Sequence, residues 1–396
     1  MSISSMVVDQ YRGKEVTFIA QILQTAVNKD IISFAGGLPN PISFPQEALK
    51  ESANRIIDTY GSSAFQYSNT EGLKALREFE ADKLNKKLGL HLDAENVVIT
   101  TGSQQSMDII PKLFINPGDG IIVENPSYLG ALQAFDYYRP TYYPVDLHED
   151  GLDLEQLEEA LQHDNVKFAY LIPEFQNPTG ISYTNENRAE ITKLLKKYNC
   201  LVIEDDPYGE LRFEGEHGIY VGLGQYEKSA LLGTFSKSVT PGMRLGYIVS
   251  EDKELLRYYA AVKENSDLHT NIFAQYLIWD YMTHNDHQKH IDEIVDLYRS
   301  QANAMLQAME KYFPEGTTFT HPDGGMFIWA TLPEGMKSLD LFPKAVEKLV
   351  AFVPGDPFYV HPENVRTMRL NFTNASPEMI DEGIHRLGDL IKEEMK

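Results

Sequence analysis

Between about residues 95 and 250, short β-branched runs alternate with helical stretches, and this alternation constrains the fold more than any other feature of the chain. The runs are NVVIT at 96–100, GIIVE at 120–124, VKFAYLI at 166–172, CLVIE at 200–204, ALLGT at 230–234 and GYIVS at 246–250. Strands that are apolar almost throughout must be covered on both faces, which predicts a mostly parallel sheet with helices on either side. Asn185 to Tyr198 reads as one such helix. After about residue 251 the helical pattern dominates, with a long stretch from His269 to Tyr312. The strands TTFTH, MFIWATL and TMRLNFT follow, alternating with helices at 338–350 and 377–394. The expectation is an α/β protein with a large domain over residues 51–290 and a smaller α+β domain over 291–396. An amino-terminal segment, residues 1–50, would carry an amphipathic helix near Lys14 to Asn28 that packs on the small domain and the active site.

Composition narrows the partners. The 396 residues carry a formal net charge of −23, and such a field repels phosphate backbones and acidic membranes. Nucleic acid and membrane partners are therefore not expected. The single cysteine, Cys200, rules out an intramolecular disulfide framework and fits a reducing compartment, where it reads as a small buried residue. The amino terminus lacks the pattern of a secretory signal, and no apolar run approaches the roughly 20 residues a membrane-spanning helix needs. A cytoplasmic protein is expected.

In open α/β sheets ligands bind beyond the carboxyl ends of the strands, so the residues there come first. NVVIT is followed by Thr101-Gly102-Ser103-Gln104-Gln105, a glycine turn opening a helix, which is how backbone N–H groups hold a phosphate. VKFAYLI leads into Pro173-Glu174-Phe175-Gln176-Asn177-Pro178-Thr179-Gly180, CLVIE into Asp205-Asp206-Pro207-Tyr208, and ALLGT into Phe235-Ser236-Lys237-Ser238, with Arg244 seven residues past the lysine. Together these are the parts needed to hold a phosphorylated aldehyde cofactor, pyridoxal phosphate. A lysine amine, Lys237, would form the Schiff base. A carboxylate would face the ring nitrogen so that it stays protonated, and Asp205 suits this better than Asp206, which would point to the opposite face. Asn177 and Tyr208 are the strand-end donors available to the phenolate oxygen.

The order of these motifs resembles the fold-type I pyridoxal-phosphate aminotransferases of classes I and II. SFAGGLPNPISFP at 33–45, FQYSNTEGLKALR at 65–77, TTGSQQSMD at 100–108, ENPSYLG at 124–130, QNPTG at 176–180, EDDPYGEL at 204–211, GTFSKSVTPGMRLGY at 233–247, PDGGMFIW at 322–329 and MRLNFT at 368–373 match in sequence over nearly the whole chain. The opening Ser-Phe-Ala-Gly-Gly-Leu-Pro and the Thr-Phe-Ser-Lys turn are most similar to the branch of 2-aminoadipate, kynurenine and broad aromatic aminotransferases. The resemblance implies a ping-pong transaminase moving an amino group between an L-amino acid and a 2-oxo acid such as 2-oxoglutarate. Lys237, Asp205 and Tyr208 would be catalytic, with Lys237 also the proton shuttle. Ser103, Gln104, Thr234, Ser236 and Arg244 would hold the phosphate, Tyr128 would stack on the ring, and Asn177 would bond the phenolate oxygen. Tyr67 would reach the phosphate of a neighbouring subunit, which implies a homodimer with shared sites. Gly37, Asn177 and Arg369 would meet the substrate, Arg369 clamping its α-carboxylate bidentately.

Other patterns carry less. His284, His287 and His290 recur at i, i+3, i+6 but lack a zinc-ligand pattern and read as a solvated helix face, so no metal is expected. Gly222-Leu223-Gly224 lacks the third glycine of a dinucleotide fingerprint. The charge runs Lys196-Lys197 and Glu393-Glu394 read as solvated faces. Arg12 and Lys14 are the nearest cations for an acidic substrate side chain but read first as exposed charges at a helix start. Two other functions stand beside the transaminase: a lyase sharing the cofactor, and a non-catalytic sensor of the kind that sits behind a DNA-binding module. The few residues before the resemblance begins and the acidic charge argue against the latter.

Overall fold

All six apolar runs belong to one eight-stranded sheet of a computed structural model that describes residues 3–8, 11 and 30–395. From one edge to the other its strands are Val97–Thr100, Gly246–Val249, Ser229–Thr234, Leu201–Asp205, Val166–Leu171, Gly120–Asn125, Thr141–His148 and Gly151–Leu152. The five strands from Ser229–Thr234 to Thr141–His148 run parallel, and the edge pairings are antiparallel. Burial explains the runs of apolar residues: Val97–Thr100 is buried at every position, as is Gly120–Asn125 at all but its last. The strand Thr141–His148 is absent from the sequence-based list. It carries Pro144 and only one buried residue, Val145, so it lacks the apolar signal of its neighbours, and proline argues against a strand.

Helices on the faces begin with side-chain caps where the sequence supplies them. Thr184 accepts from the Asn187 N–H to open Asn185–Tyr198, and Asn199 closes that helix in the left-handed region. The predicted stretch His269–Tyr312 divides into two helices, Ile272–His284 capped by Asn271 and His287–Tyr312. The division corrects the reading of the histidines. His284 ends one helix and is exposed, whereas His287 and His290 begin the next and turn inward, edge-on to Tyr281 at 6.3 and 6.1 Å. A spacing counted across a helix break does not define one face. Cys200 is buried, and burial pushes its thiol up to about 12.

The chain divides into two compact units. Residues 39–297 and 322–325 form the unit with the eight-stranded sheet. The other unit takes in the described residues up to Leu38, Tyr298–His321 and the chain from Met326 on. Its antiparallel sheet has the order Thr318–Phe319, Phe327–Thr331, Thr367–Asn371, Val353–Pro354. The helix Pro377–Glu394 buries Ile380, Ile384, Leu387 and Ile391 on one face. Ile32–Ser33 pairs in parallel with Val350–Ala351, and Phe34, fully buried, accepts from the Asn371 N–H at 2.8 Å. The helix expected over Lys14 to Asn28, with Arg12 and Lys14, lies outside the described residues. Among the described residues no helix is long and apolar enough to cross a membrane.

Candidate active site

The parallel strands of the large sheet deliver their polar residues at their carboxyl ends. Tyr170 and Asp205 lie on adjacent strands whose register pairs Tyr170 with Ile203. Tyr170 Oη donates to Asp205 Oδ2 at 2.8 Å, and both residues are buried. Asp205 Oδ1 is also buried and has no hydrogen-bond partner among the described residues. Burial pushes this carboxyl up to about 7, against the pull of the Tyr170 hydroxyl, with the charges of Asp206 and Glu124 adding to the rise. Asp206 turns elsewhere. It accepts from the Gly209 N–H, lies 2.9 Å from His217 Nε2 and accepts from the Tyr220 hydroxyl at 3.0 Å. Burial works to raise its carboxyl, but the His217 charge and these hydrogen bonds hold it down to about 2.

Three residues beyond Asp205, Tyr208 accepts from Asn177 Nδ2 at 3.2 Å, and both side chains are buried. The loop carrying Asn177 is pinned from behind. Gln176 Oε1 accepts from the Thr179 N–H and hydroxyl, while Gln176 Nε2 donates to Glu124 Oε2 at 2.8 Å. The other Glu124 oxygen accepts from the Ile172 N–H and the Tyr183 hydroxyl. Glu174 is clamped by Arg188 at 2.7 Å and Arg212 at 2.5 Å. The charged residue inside GIIVE is the sequence signal of this network, whereas the full burial of Arg188 is not legible in the sequence.

At another strand end, the turn after Ser229–Thr234 carries Lys237, half-buried. Backbone bonds hold that turn: Phe235 N–H to Leu245, and Val239 and Thr240 N–H to Phe235. Thr234 Oγ1 accepts from the Ser236 N–H at 3.1 Å. The helix Ser103–Phe114 starts at Gly102 without a side-chain cap, which leaves first-turn N–H groups to bind an anion. Gly102 has φ +72°, a region that favours glycine, and a Cβ there would lie 2.7 Å from Arg244 Nη2, so the guanidinium stands close to this helix start. The Gln104 side chain donates to the Gly130 carbonyl at 3.1 Å, so that amide is engaged within the protein. A Cβ on Gly130 would meet the Tyr128 ring at 2.6 Å, so that ring lies against Gly130.

Tyr67 belongs to the same unit but is 79% exposed and meets the His269 ring edge-on at 5.8 Å. Gly37 and Arg369 belong to the other unit. There the Arg369 guanidinium lies 4.3 Å from the Phe327 ring centre and 5.1 Å from that of Phe358, and donates to the Ala35 carbonyl at 3.1 Å. A Cβ on Gly37 would lie 3.1 Å from Phe327, so the Gly-Gly loop runs close over the ring that carries the arginine. Among the described residues no group of three or more His, Cys, Asp or Glu side chains is arranged to hold a metal ion.

The family model of class I and II aminotransferases matches residues 38–387. The chain belongs to this family. The aminotransferase is 41% identical to aromatic-amino-acid aminotransferase 1 of Thermococcus litoralis over 97% of its own length and 93% of the relative's. It is 38% identical to the 2-aminoadipate transaminase of Thermus thermophilus, over 96% of its own length and 94% of the relative's. Its fold matches the crystal structure of Pyrococcus horikoshii kynurenine aminotransferase with a TM-score of 0.95 at 40% identity, covering 100% of this chain and 99% of that one. The protein is thus a pyridoxal-phosphate-dependent aminotransferase of fold type I.

The donor set fits that cofactor at both ends. Asp205 Oδ1, buried and without a hydrogen-bond partner among the described residues, suits a protonated ring nitrogen, and the uncapped helix start beside Arg244 suits a phosphate. When bound, the cofactor supplies a pyridinium ring that withdraws the electron pair released at the α-carbon of the amino acid.

The buried carboxyls make a prediction for the cofactor-free protein. Glu124 and Glu204, like Asp205, are pushed up to about 7 by burial. Each binds a proton more readily folded than unfolded, so its stabilising contribution is complete below the unfolded value and is lost as pH rises through 7. His217, raised although burial opposes it, adds to this loss, and His290, lowered by burial, opposes it. At 1.36 kcal/mol per pH unit, each glutamate contributes at most about 3 kcal/mol and Asp205 at most about 4 kcal/mol. The melting temperature of the cofactor-free protein should fall between pH 5 and pH 7.5. A melting temperature that rises across this interval contradicts the burial account.

Proposed function

We propose that this aminotransferase exchanges the amino group of an aromatic or 2-aminoadipate-like L-amino acid with a 2-oxo acid such as 2-oxoglutarate, in two half-reactions. What supports this reading is that the buried Asp205 carboxylate, the hydrogen-bonded Asn177–Tyr208 pair and the lysine-bearing turn all lie at or beyond the carboxyl ends of neighbouring parallel strands of one unit. In this reading Lys237 Nζ would be the base that takes the proton from the α-carbon of the amino acid and holds it for return in the second half of the shift. Asp205 Oδ1 holds the proton of the ring nitrogen, while Asn177 and Tyr208 donate to the phenolate oxygen. Ser103, Gln104, Thr234, Ser236 and Arg244 hold the phosphate, and Tyr128 stacks on the ring. Arg369, with Gly37 beside it, receives the α-carboxylate as a planar fork that lysine cannot imitate.

The names of the relatives support the choice of donor, since they span aromatic amino acids, 2-aminoadipate and kynurenine. A homodimer with shared sites is supported by the exposure of Tyr67 beside Phe65, itself 63% exposed and stacked on Phe273 at 5.3 Å. Such a strip suits covering by a second copy. The single cysteine supports a cytoplasmic location.

A donor panel tests the reading. With 2-oxoglutarate as acceptor, kcat/KM for phenylalanine, kynurenine and 2-aminoadipate should exceed that for aspartate by about tenfold or more, as pocket fit alone allows. Equal rates for all donors would refute the proposed preference, and release of ammonia without an acceptor would favour a lyase.

A further inference from the structure

The hydroxyl that ties down Asp205 comes from a residue outside every motif that carries the family resemblance. Tyr170 sits in the middle of the central sheet, fully buried, its ring held edge-on to Phe135 at 5.5 Å. From strand Val166–Leu171 it reaches across to the neighbouring strand, where Tyr170 Oη donates to Asp205 Oδ2 at 2.8 Å. The two oxygens of this carboxylate therefore differ. One is tethered, and the other is buried without a hydrogen-bond partner among the described residues. The terminal torsion of an aspartate is broad and roughly two-fold, so the backbone at Asp205 does not by itself decide which oxygen points where. A packed phenol whose hydroxyl engages one oxygen does decide it. A donor to the charged form also favours that form, and here it works against the burial that raises the Asp205 carboxyl.

We propose that Tyr170 is a positioning residue for transamination: its hydroxyl fixes the rotation of the Asp205 carboxylate, presents Oδ1 to the cofactor's ring nitrogen and keeps the carboxylate ionised so that the nitrogen retains its proton. This rests on the reading that Asp205 faces that nitrogen. Tyr170 touches neither substrate nor cofactor in this account and acts only through Asp205. Without the hydroxyl, the more basic carboxylate draws the proton away from the ring nitrogen and turns off its line. Electron withdrawal then weakens, while the grip on the donor's α-carboxylate is unaffected.

Tyr170→Phe removes one oxygen and keeps the ring that packs on Phe135. The test loads wild type, Tyr170→Phe and Asp205→Ala with pyridoxal phosphate labelled with ¹⁵N in the ring, and records the nitrogen chemical shift before any substrate is added. It then follows the half-reaction with a saturating amino acid. Tyr170→Phe should move the nitrogen signal toward the unprotonated position. It should also slow the half-reaction about tenfold, the worth of a hydrogen bond to a charged group, with the dissociation constant of the donor within about twofold of wild type. An unchanged nitrogen signal and half-reaction in Tyr170→Phe, with both altered in Asp205→Ala, would overturn the proposal and leave Tyr170 a packing residue. If Asp205→Ala also leaves the nitrogen signal unchanged, the reading of Asp205 itself fails, and the proposal with it. Should Tyr170→Phe not take up the cofactor, replacement of Tyr170 by 3-fluorotyrosine gives the converse test. This stronger donor should shift the signal further toward the protonated position, and no shift would overturn the proposal.

Discussion

Lys237→Ala leaves the protein folded and able to bind pyridoxal phosphate but without measurable amino-group exchange. The turn that carries the lysine is held by backbone hydrogen bonds among Phe235, Val239, Thr240 and Leu245, none of which uses the Lys237 side chain. Its flanking residues Phe235 and Val239 fill the core, whereas Lys237 is half-buried, so truncation opens no apolar cavity. Stability should therefore stay close to wild type. The chemistry should fare differently, because in the proposed function one amine would serve both as the nucleophile that holds the cofactor and as the base that moves the proton. Loss of a proton-transfer group alone costs about 10²–10⁴-fold, and loss of both roles should lower kcat by roughly 10⁴-fold or more. Steady-state rates with 2-oxoglutarate, beside a melting curve, check both halves. Turnover retained in this variant would mean that another residue does this work.

Asp205→Ala is expected to have the second-largest effect, and it separates binding from chemistry. The proposed phosphate end of the site, at the start of Ser103–Phe114 with Thr234, Ser236 and Arg244, would lie on other elements, so cofactor uptake should survive. The step that should lose is proton abstraction, since in the proposed function the ring nitrogen would no longer face a counter-charge. Removal of one preorganised charge from such a site costs about 10²–10³-fold. The variant also leaves the Tyr170 hydroxyl buried without its acceptor, a cost of about 1–3 kcal/mol, but it removes a carboxyl whose burial is itself unfavourable. A single-turnover half-reaction with saturating donor should slow by that factor. A half-reaction at the wild-type rate would place a different group opposite the ring nitrogen.

The fold was legible because its central strands are buried on both faces and so read as unbroken apolar runs. Their ends could then be found by inspection, and Asn177, Asp205, Tyr208 and Lys237 lie there. Thr141–His148 was not legible, since a strand near the sheet edge with Pro144 and half-exposed residues has no such run. Tyr170 escaped notice for the opposite reason. Inside VKFAYLI it is one more apolar-looking residue, and only the register between neighbouring strands puts its hydroxyl on Asp205. Glu124 is hidden in the same way, although a carboxylate within GIIVE marks a buried polar network. The histidines show the converse limit. Their spacing ran across a break at Asn285, and sequence periodicity cannot show that His287 and His290 start a new helix and point inward.

The most direct test of the central claim, that Lys237 and the strand-end residues around Asp205 hold a pyridoxal phosphate which takes and gives back an amino group, is the visible absorbance of the purified protein under substrate. The account predicts a yellow protein that bleaches on adding an aromatic amino acid or 2-aminoadipate without any oxo acid, and recovers its colour when 2-oxoglutarate follows. A protein that stays colourless after pyridoxal phosphate is supplied, or a yellow one that no amino acid bleaches, would contradict it.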